Sequence, residues 1–276
     1  MKKLLSLLLA LTMALALAAC GTPKDQTNDT PPQDANQSQA SDLDYVKGNG
    51  KLVIGYTLYA PMNFKDANGN LTGFDTELAK VICERLGVEP VFQIINWDTK
   101  EVELNAKTID CIWNGLTIND ERKANMELTQ PYVKNAQVVL MKDGASYQDT
   151  SSLIGKTVVA EQGSAGEDTI KADANLKQAS YIPKSVQSDC LMEVKAGTAD
   201  AAILDLTLAK TMTGEGTNYA DLKIMERLGE EDYGVAFRKG SDLCAEVNKL
   251  FDELRADGTL ATLADKYGLD LAEAAQ

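Results

Sequence analysis

Arg122 lies just after the run Trp113-Asn114-Gly115-Leu116-Thr117, beside Asp120 and Glu121. A planar guanidinium grips a carboxylate through two parallel hydrogen bonds. The plainer alternative is a solvated arginine paired with Asp120 or Glu121. Asp205 closes the apolar run Ala201-Ala202-Ile203-Leu204. A carboxylate in that place holds an ammonium group, or else caps the helix that follows. Gly163-Ser164-Ala165-Gly166 opens a helix, whose free N–H groups and hydroxyl suit an anion. Ser164 as a simple N-cap explains the same residues. Tyr59, ahead of Ala60-Pro61, and Trp97, after Asn96, offer ring faces on short loops.

These residues sit at the ends of predicted elements. Residues 51–55 read as a strand, and Asn68-Gly69 as a tight turn. The spacing of Phe74, Leu78, Val81, Ile82 and Leu86 predicts a helix over 74–86, ended by Gly87. Strands are expected at 90–95 and 109–113, with a short helix at 97–106 between them. The second half repeats the alternation, with strands at 156–160, 180–182 and 201–204 and helices from 165, over 185–196 and from 205. Later strands are expected at 222–225 and 234–238, and helices at 243–256 and 260–267. Such alternation indicates α/β layers with largely parallel sheets in two halves. Ligands of this class bind beyond the carboxyl ends of strands.

Composition narrows the chemistry. Against 27 Lys+Arg stand 41 Asp+Glu, a net charge of −14 that disfavours nucleic acid and anionic bilayers. There is no histidine, which removes the commonest general base and metal ligand. No catalytic group, metal site or cofactor is therefore expected. Cys83, Cys111, Cys190 and Cys244 lie in apolar-patterned segments without CxxC spacing and read as buried small hydrophobes, with a disulfide left open.

The N-terminus reads as an address. Lys2-Lys3 precede an apolar run over 4–18, then Leu17-Ala18-Ala19-Cys20-Gly21. This resembles a bacterial lipobox, which implies cleavage after residue 19 and acylation of Cys20. Loss of Lys2 and Lys3 would take the charge from −14 to −16. Residues 20–42 are mostly Thr, Pro, Asn, Gln, Asp and Ser, and read as a flexible tether to the membrane.

Several blocks, in order, resemble the polar amino-acid family of periplasmic solute-binding proteins. They are Tyr59-Ala60-Pro61, Leu71-Thr72-Gly73-Phe74-Asp75, Gly115-Leu116-Thr117-Ile118 with Arg122, Thr129-Gln130-Pro131-Tyr132, Gln162-Gly163-Ser164, Ala199-Asp200-Ala201 with Asp205, and Gly234 to Gly240. The resemblance implies two α/β lobes joined by two crossing strands, with a ligand cleft between them. Lobe 1 would take 43–136 plus 233–276, and lobe 2 would take 137–232. Arg122 would clamp an α-carboxylate, helped by backbone and hydroxyl at Gly115 and Thr117 and by the N–H groups of Ser164 and Ala165, with Asn114 a further ligand-binding residue that can donate and accept. Asp205 would receive the α-ammonium, and Tyr59 and Trp97 would sandwich the side chain.

The implied role is extracytoplasmic capture of an amino acid by a monomer, for delivery to an ABC import permease. A receptor subunit, or a dehydratase-like enzyme on the same fold, are the alternatives. Tyr56 stands where members that bind basic amino acids often carry an acid. Met62, Asn114 and Ala165 also depart from the common pattern. These departures favour a polar, uncharged ligand such as glutamine or cystine.

Overall fold

In a computed structural model of the chain, residues 41–273 are described. The first half runs α1 Asp42–Asn49, β1 Lys51–Tyr56, β2 Phe64–Lys65, β3 Leu71–Thr72, α2 Phe74–Leu86, β4 Glu89–Ile94, α3 Lys100–Asn105, β5 Cys111–Thr117, α4 Asp120–Asn125, β6 Met126–Leu128 and β7 Val133–Lys142. The second half runs β8 Thr157–Glu161, α5 Ala165–Ala172, β9 Ser180–Lys184, α6 Gln187–Ala196, β10 Ala201–Asp205, α7 Leu206–Met212, β11 Leu222–Arg238, α8 Asp242–Ala256 and α9 Thr259–Tyr267.

The main sheet has strand order β4-β1-β5-β11-β7-β10-β8-β9, with β6 also on β11. At one end β4, β1 and β5 are parallel, and at the other β9, β8 and β10 are parallel. In both groups the strand that comes first in the chain lies in the middle. The groups meet through two long antiparallel strands, β7 and β11, which pair from Leu222↔Lys142 to Tyr233↔Val133. This is the expected two-lobe α/β architecture with two crossing strands.

The local reasons are visible in the sequence. Phe74, Leu78, Ile82 and Leu86 form the buried stripe of α2, and Gly87 ends it in the left-handed conformation at φ 74°. Leu243, Val247, Leu250, Phe251 and Leu254 do the same for α8. In lobe 2, alternate residues of the strands face different helices. Val158 and Ile203 pack with Ile170 of α5, whereas Val159, Ala202 and Leu204 pack with Leu191 and Val194 of α6. All seven residues of β5 are buried, as a strand covered on both faces requires.

Some expectations shift. The strand expected at 109–113 begins at Cys111 and runs on to Thr117. The strands expected at 222–225 and 234–238 are one strand of 17 residues. Register shifts between Ile224/Glu226 and Arg227/Gly229 let it absorb its irregular middle. The elements α1, α4, β6 and β7 were not expected, and the Asn68-Gly69 turn joins two short strands, β2 and β3. The polar residues Lys134, Asn135 and Gln137 hide β7 in the sequence, yet Asn135 and Gln137 are buried. The segment read as a tether lies outside the described residues except at its end, where Ser41 caps α1 and Asp42 opens it. Arg238 holds that helix down, donating from Nε to Asp42 Oδ2 at 2.9 Å. The signal segment and Cys20 lie outside the described residues. Cys83, Cys111, Cys190 and Cys244 are buried free thiols. Among the described residues no helix is long and apolar enough to cross a membrane, and no cluster of acids and thiols suits a metal ion.

Candidate functional site

Tyr59, Trp97, Asn114, Gly115, Thr117, Arg122, Ser164, Ala165 and Asp205 line one small cavity. Glu161 and Gln187 complete its wall. The first six residues come from the β1, β4 and β5 ends of lobe 1, the other five from the β8, α6 and β10 ends of lobe 2.

Arg122 is 4% exposed, so the surface alternative does not hold. The short helix α4 places it, because the Asn119 side chain accepts its backbone N–H at 2.8 Å. One guanidinium nitrogen, NH1, donates to the Thr117 carbonyl at 2.7 Å. No carboxylate lies within ion-pair distance of it among the described residues. Burial pulls its pKa down, and Asp168, Glu231 and Asp205 oppose that shift from a distance. A buried cation without a partner is costly, and an incoming anion relieves that cost.

Asp205 faces the same space. It occupies the N-cap position of α7, but its side chain makes no capping bond. Its Oδ1 instead accepts from Asn135 at 2.9 Å and Gln137 at 2.5 Å, and its Oδ2 from Gln187. The Asp205 N–H in turn donates to Gln187 Oε1 at 3.0 Å. The carboxylate is thereby fixed in direction before any ligand arrives. Asn135 and Gln137 also donate to Glu231 Oε1 at 2.6 and 2.9 Å, and so does the Thr117 hydroxyl at 3.0 Å. Burial and the nearby Asp205 raise the pKa of Glu231. The web ties the cavity floor to both crossing strands.

Several predicted donors are already engaged. The Gly115 N–H donates to Asp75 Oδ2 at 2.7 Å, and Tyr132 donates to Asp75 Oδ1 at 2.9 Å. The Asn114 amide accepts from the Thr57 N–H and hydroxyl at 3.1 and 2.8 Å, and donates to the Thr57 carbonyl and Asn63 at 2.9 and 2.7 Å. Its side chain stitches the β1 loop to β5, and both oxygen and nitrogen are used up. The Ser164 N–H donates to the Glu161 carbonyl at 3.2 Å, and its hydroxyl accepts from the Glu167 N–H at 3.2 Å. Ser164 is therefore an N-cap. Ala165, the first residue of α5, keeps an N–H with no acceptor in its own helix.

The lobes meet around the cavity. Lys100 Nζ donates to the Trp97 carbonyl at 3.2 Å and across the cleft to the Gly163 carbonyl at 2.9 Å. It also lies 5.1 Å from the Trp97 ring centre. Burial pulls the Lys100 pKa down to about 8. Gln162 donates to Asp98 at 3.0 Å, and the Tyr59 hydroxyl pairs with that of Thr207. Gly163, at φ 71°, lies so close to Asp98 that a Cβ there would be 3.0 Å from its Cα. The cleft is closed.

Glu161, Gln187, Lys100 and the pair Asn135/Gln137 were missing from the sequence expectation. Glu161 carries the same signal as Asp205, an acid ending an apolar strand. Asn135 and Gln137, two apart, mark one polar face of a strand.

Residues 52–270 match the model of bacterial extracellular solute-binding proteins, family 3. The L-cystine-binding protein TcyJ of Escherichia coli K12 is 31% identical over 234 residues, 83% of this chain and 87% of that protein. The arginine-binding extracellular protein ArtP of Bacillus subtilis is 29% identical over 97% of this chain and 98% of its own length. The crystal structure of a P235GK mutant of the T. maritima protein ArgBP aligns with TM-score 0.76 at 32% identity, covering 82% of this chain and 98% of that one. These relatives are named for binding substrates and not for converting them. The chain belongs to family 3 of the bacterial extracellular solute-binding proteins.

Proposed function

We propose that the chain captures an amino acid outside the cytoplasm, as a monomer, and delivers it to an ABC import permease while acyl groups on Cys20 hold it to the membrane. The observation that carries amino-acid capture is the pairing within one cavity of a buried cation from one lobe, Arg122, and an oriented carboxylate from the other, Asp205. A zwitterion answers both. Relatives named for cystine and arginine binding support the same reading. Each charge-assisted hydrogen bond contributes about 1.5–3 kcal/mol.

The lobes are taken as 43–136 with 233–276, and 137–232, with β7 and β11 as the hinge. A ligand touching both lobes shifts the population from open to closed, and the closed form is what the permease reads. Taken from lobe 1 alone, where Tyr56 supplies no acid, the ligand side chain is polar and uncharged, as in glutamine or cystine. Lobe 2 adds an acid to the same cavity, Glu161, which the lobe 1 residues alone do not take into account.

Calorimetry with the twenty amino acids and cystine tests capture. Arg122→Ala should weaken the best ligand by at least about tenfold; unchanged affinity would end the clamp role. Cys20→Ala should move the protein from the membrane fraction to the medium or periplasm, and continued membrane association would refute the anchor.

A further inference from the structure

We propose that Glu161 is a specificity-determining residue that pairs with a cation on the ligand's side chain, a guanidinium or an ammonium, so that the preferred ligands are basic amino acids. This rests on the cavity being an amino-acid site. Glu161 is the last residue of β8, 3% exposed, and it lines the cavity. Its Oε1 is buried without a hydrogen-bond partner. A buried carboxylate oxygen without a donor is uncommon in folded proteins and calls for an explanation.

The neighbours do not supply that donor. Gln187 bonds Asp205 at both ends of its amide and also reaches the Glu161 carboxylate, yet Glu161 Oε1 keeps no partner. Lys100 directs its ammonium to the Trp97 and Gly163 carbonyls, and forms no ion pair with Glu161 among the described residues. Any amino acid supplies one carboxylate, matched by Arg122, and one ammonium, matched by Asp205. Glu161 is then one acid more than a zwitterion needs. A ligand with a second cation balances the cavity, and one without it leaves the carboxyl buried and unmatched.

The proton balance follows. Burial first, then Asp205, pushes the Glu161 pKa up to about 8, with Lys100 and Gln187 opposing and Asp189 adding to the rise. In the empty cavity Glu161 holds a proton at neutral pH. A cation beside it favours the ionised form, so binding lowers this pKa and releases the proton. Affinity for a basic amino acid therefore rises with pH from 6 towards 8.

Arginine and its uncharged isostere citrulline make the test, with lysine, ornithine and glutamine alongside. Calorimetry on the whole mature protein should show arginine, lysine or ornithine binding at least about tenfold tighter than citrulline and glutamine. In two buffers of different ionisation enthalpy, the basic ligand should release protons between pH 6 and 8, and citrulline should release none. Glu161→Gln should bring the basic and neutral ligands to within about threefold of each other and abolish the release. Citrulline or glutamine binding as tightly as every basic ligand in the wild-type protein overturns the proposal, whatever the variant does. Equal weakening of all ligands by Glu161→Gln overturns it too, since Glu161 would then only support the cavity. Absence of binding by any amino acid overturns the amino-acid reading itself, and this proposal with it.

Discussion

Each lobe buries a carboxyl whose pKa is raised by desolvation, and the two are handled differently. In lobe 1, Asp75 is fully buried and pushed up to about 7, yet the Gly115 N–H and the Tyr132 hydroxyl serve its two oxygens. It lies outside the cavity and braces β5 against α2. In lobe 2, Glu161 is pushed up to about 8, lines the cavity and keeps one oxygen unserved. Burial alone therefore does not mark a functional acid. What separates the two is whether the protein completes the hydrogen bonds itself, as for Asp75, or leaves one oxygen without a partner, as for Glu161. The same contrast holds for the lobes as wholes. Lobe 1 brings a cation and two rings, and lobe 2 brings acids and a helix start. Under the proposed function, neither half alone presents both charges a zwitterion needs, which would couple binding to closure.

The largest effect expected is from breaking that division of charge. Asp205→Asn should cost about 2–5 kcal/mol of affinity for every amino acid, because it unpairs a buried ammonium. If calorimetry finds no loss, lobe 2 is not where the α-ammonium binds. Next comes the pH dependence of stability. Asp75 and Glu161 both have folded pKa values above their unfolded ones, so both stabilise the fold at low pH. That stability is full below about pH 4 and is lost as pH rises through about 7 for Asp75 and 8 for Glu161. Urea melts of the ligand-free protein between pH 4 and 8 should show a decline, of which Asp75→Asn removes on the order of 3–4 kcal/mol. Glu161→Gln should remove a separate part. A slope untouched by Asp75→Asn would place the titration elsewhere.

Smaller changes probe the closed interface. Gly163→Ala adds a Cβ at 3.0 Å from the Asp98 Cα, at a φ of 71°. It should weaken ligand binding by about 1–3 kcal/mol. X-ray scattering should show less compaction on adding ligand than in the wild-type protein, and full compaction would mean that the lobes tolerate the methyl. Tyr59→Phe removes one hydroxyl that reaches Thr207 and the Tyr233 hydroxyl, while Thr207 and Tyr233 retain each other at 3.2 Å. The affinity loss should be only about 0.5–1.5 kcal/mol. A larger loss would show that the Tyr59 hydroxyl touches the ligand directly.

Much of the architecture was legible in the residues. The stripe Phe74, Leu78, Ile82 and Leu86 with Gly87 is α2, with the expected ends. Arg122 and Asp205 stood out by type and position, and both reach the cavity. The crossing strands were harder. Asn135 and Gln137 break the apolar pattern of β7 because their amides bond the carboxylates of Asp205 and Glu231, residues about 70 and 95 positions further along the chain. Glu161 has the same pattern as Asp205, an acid at the end of an apolar strand, and local sequence does not separate either from a solvated strand boundary.

Residue types and periodicity determined the alternating elements, the surplus of acid and the chemistry available at the strand ends. Tertiary structure alone decided which of those groups are free. The Gly115 N–H is engaged by Asp75, 40 residues away, and the Asn114 amide by Thr57, 57 residues away. A donor's availability depends on what distant segments bring beside it. Local sequence holds no record of that, because burial and hydrogen-bond partners are properties of the packed chain.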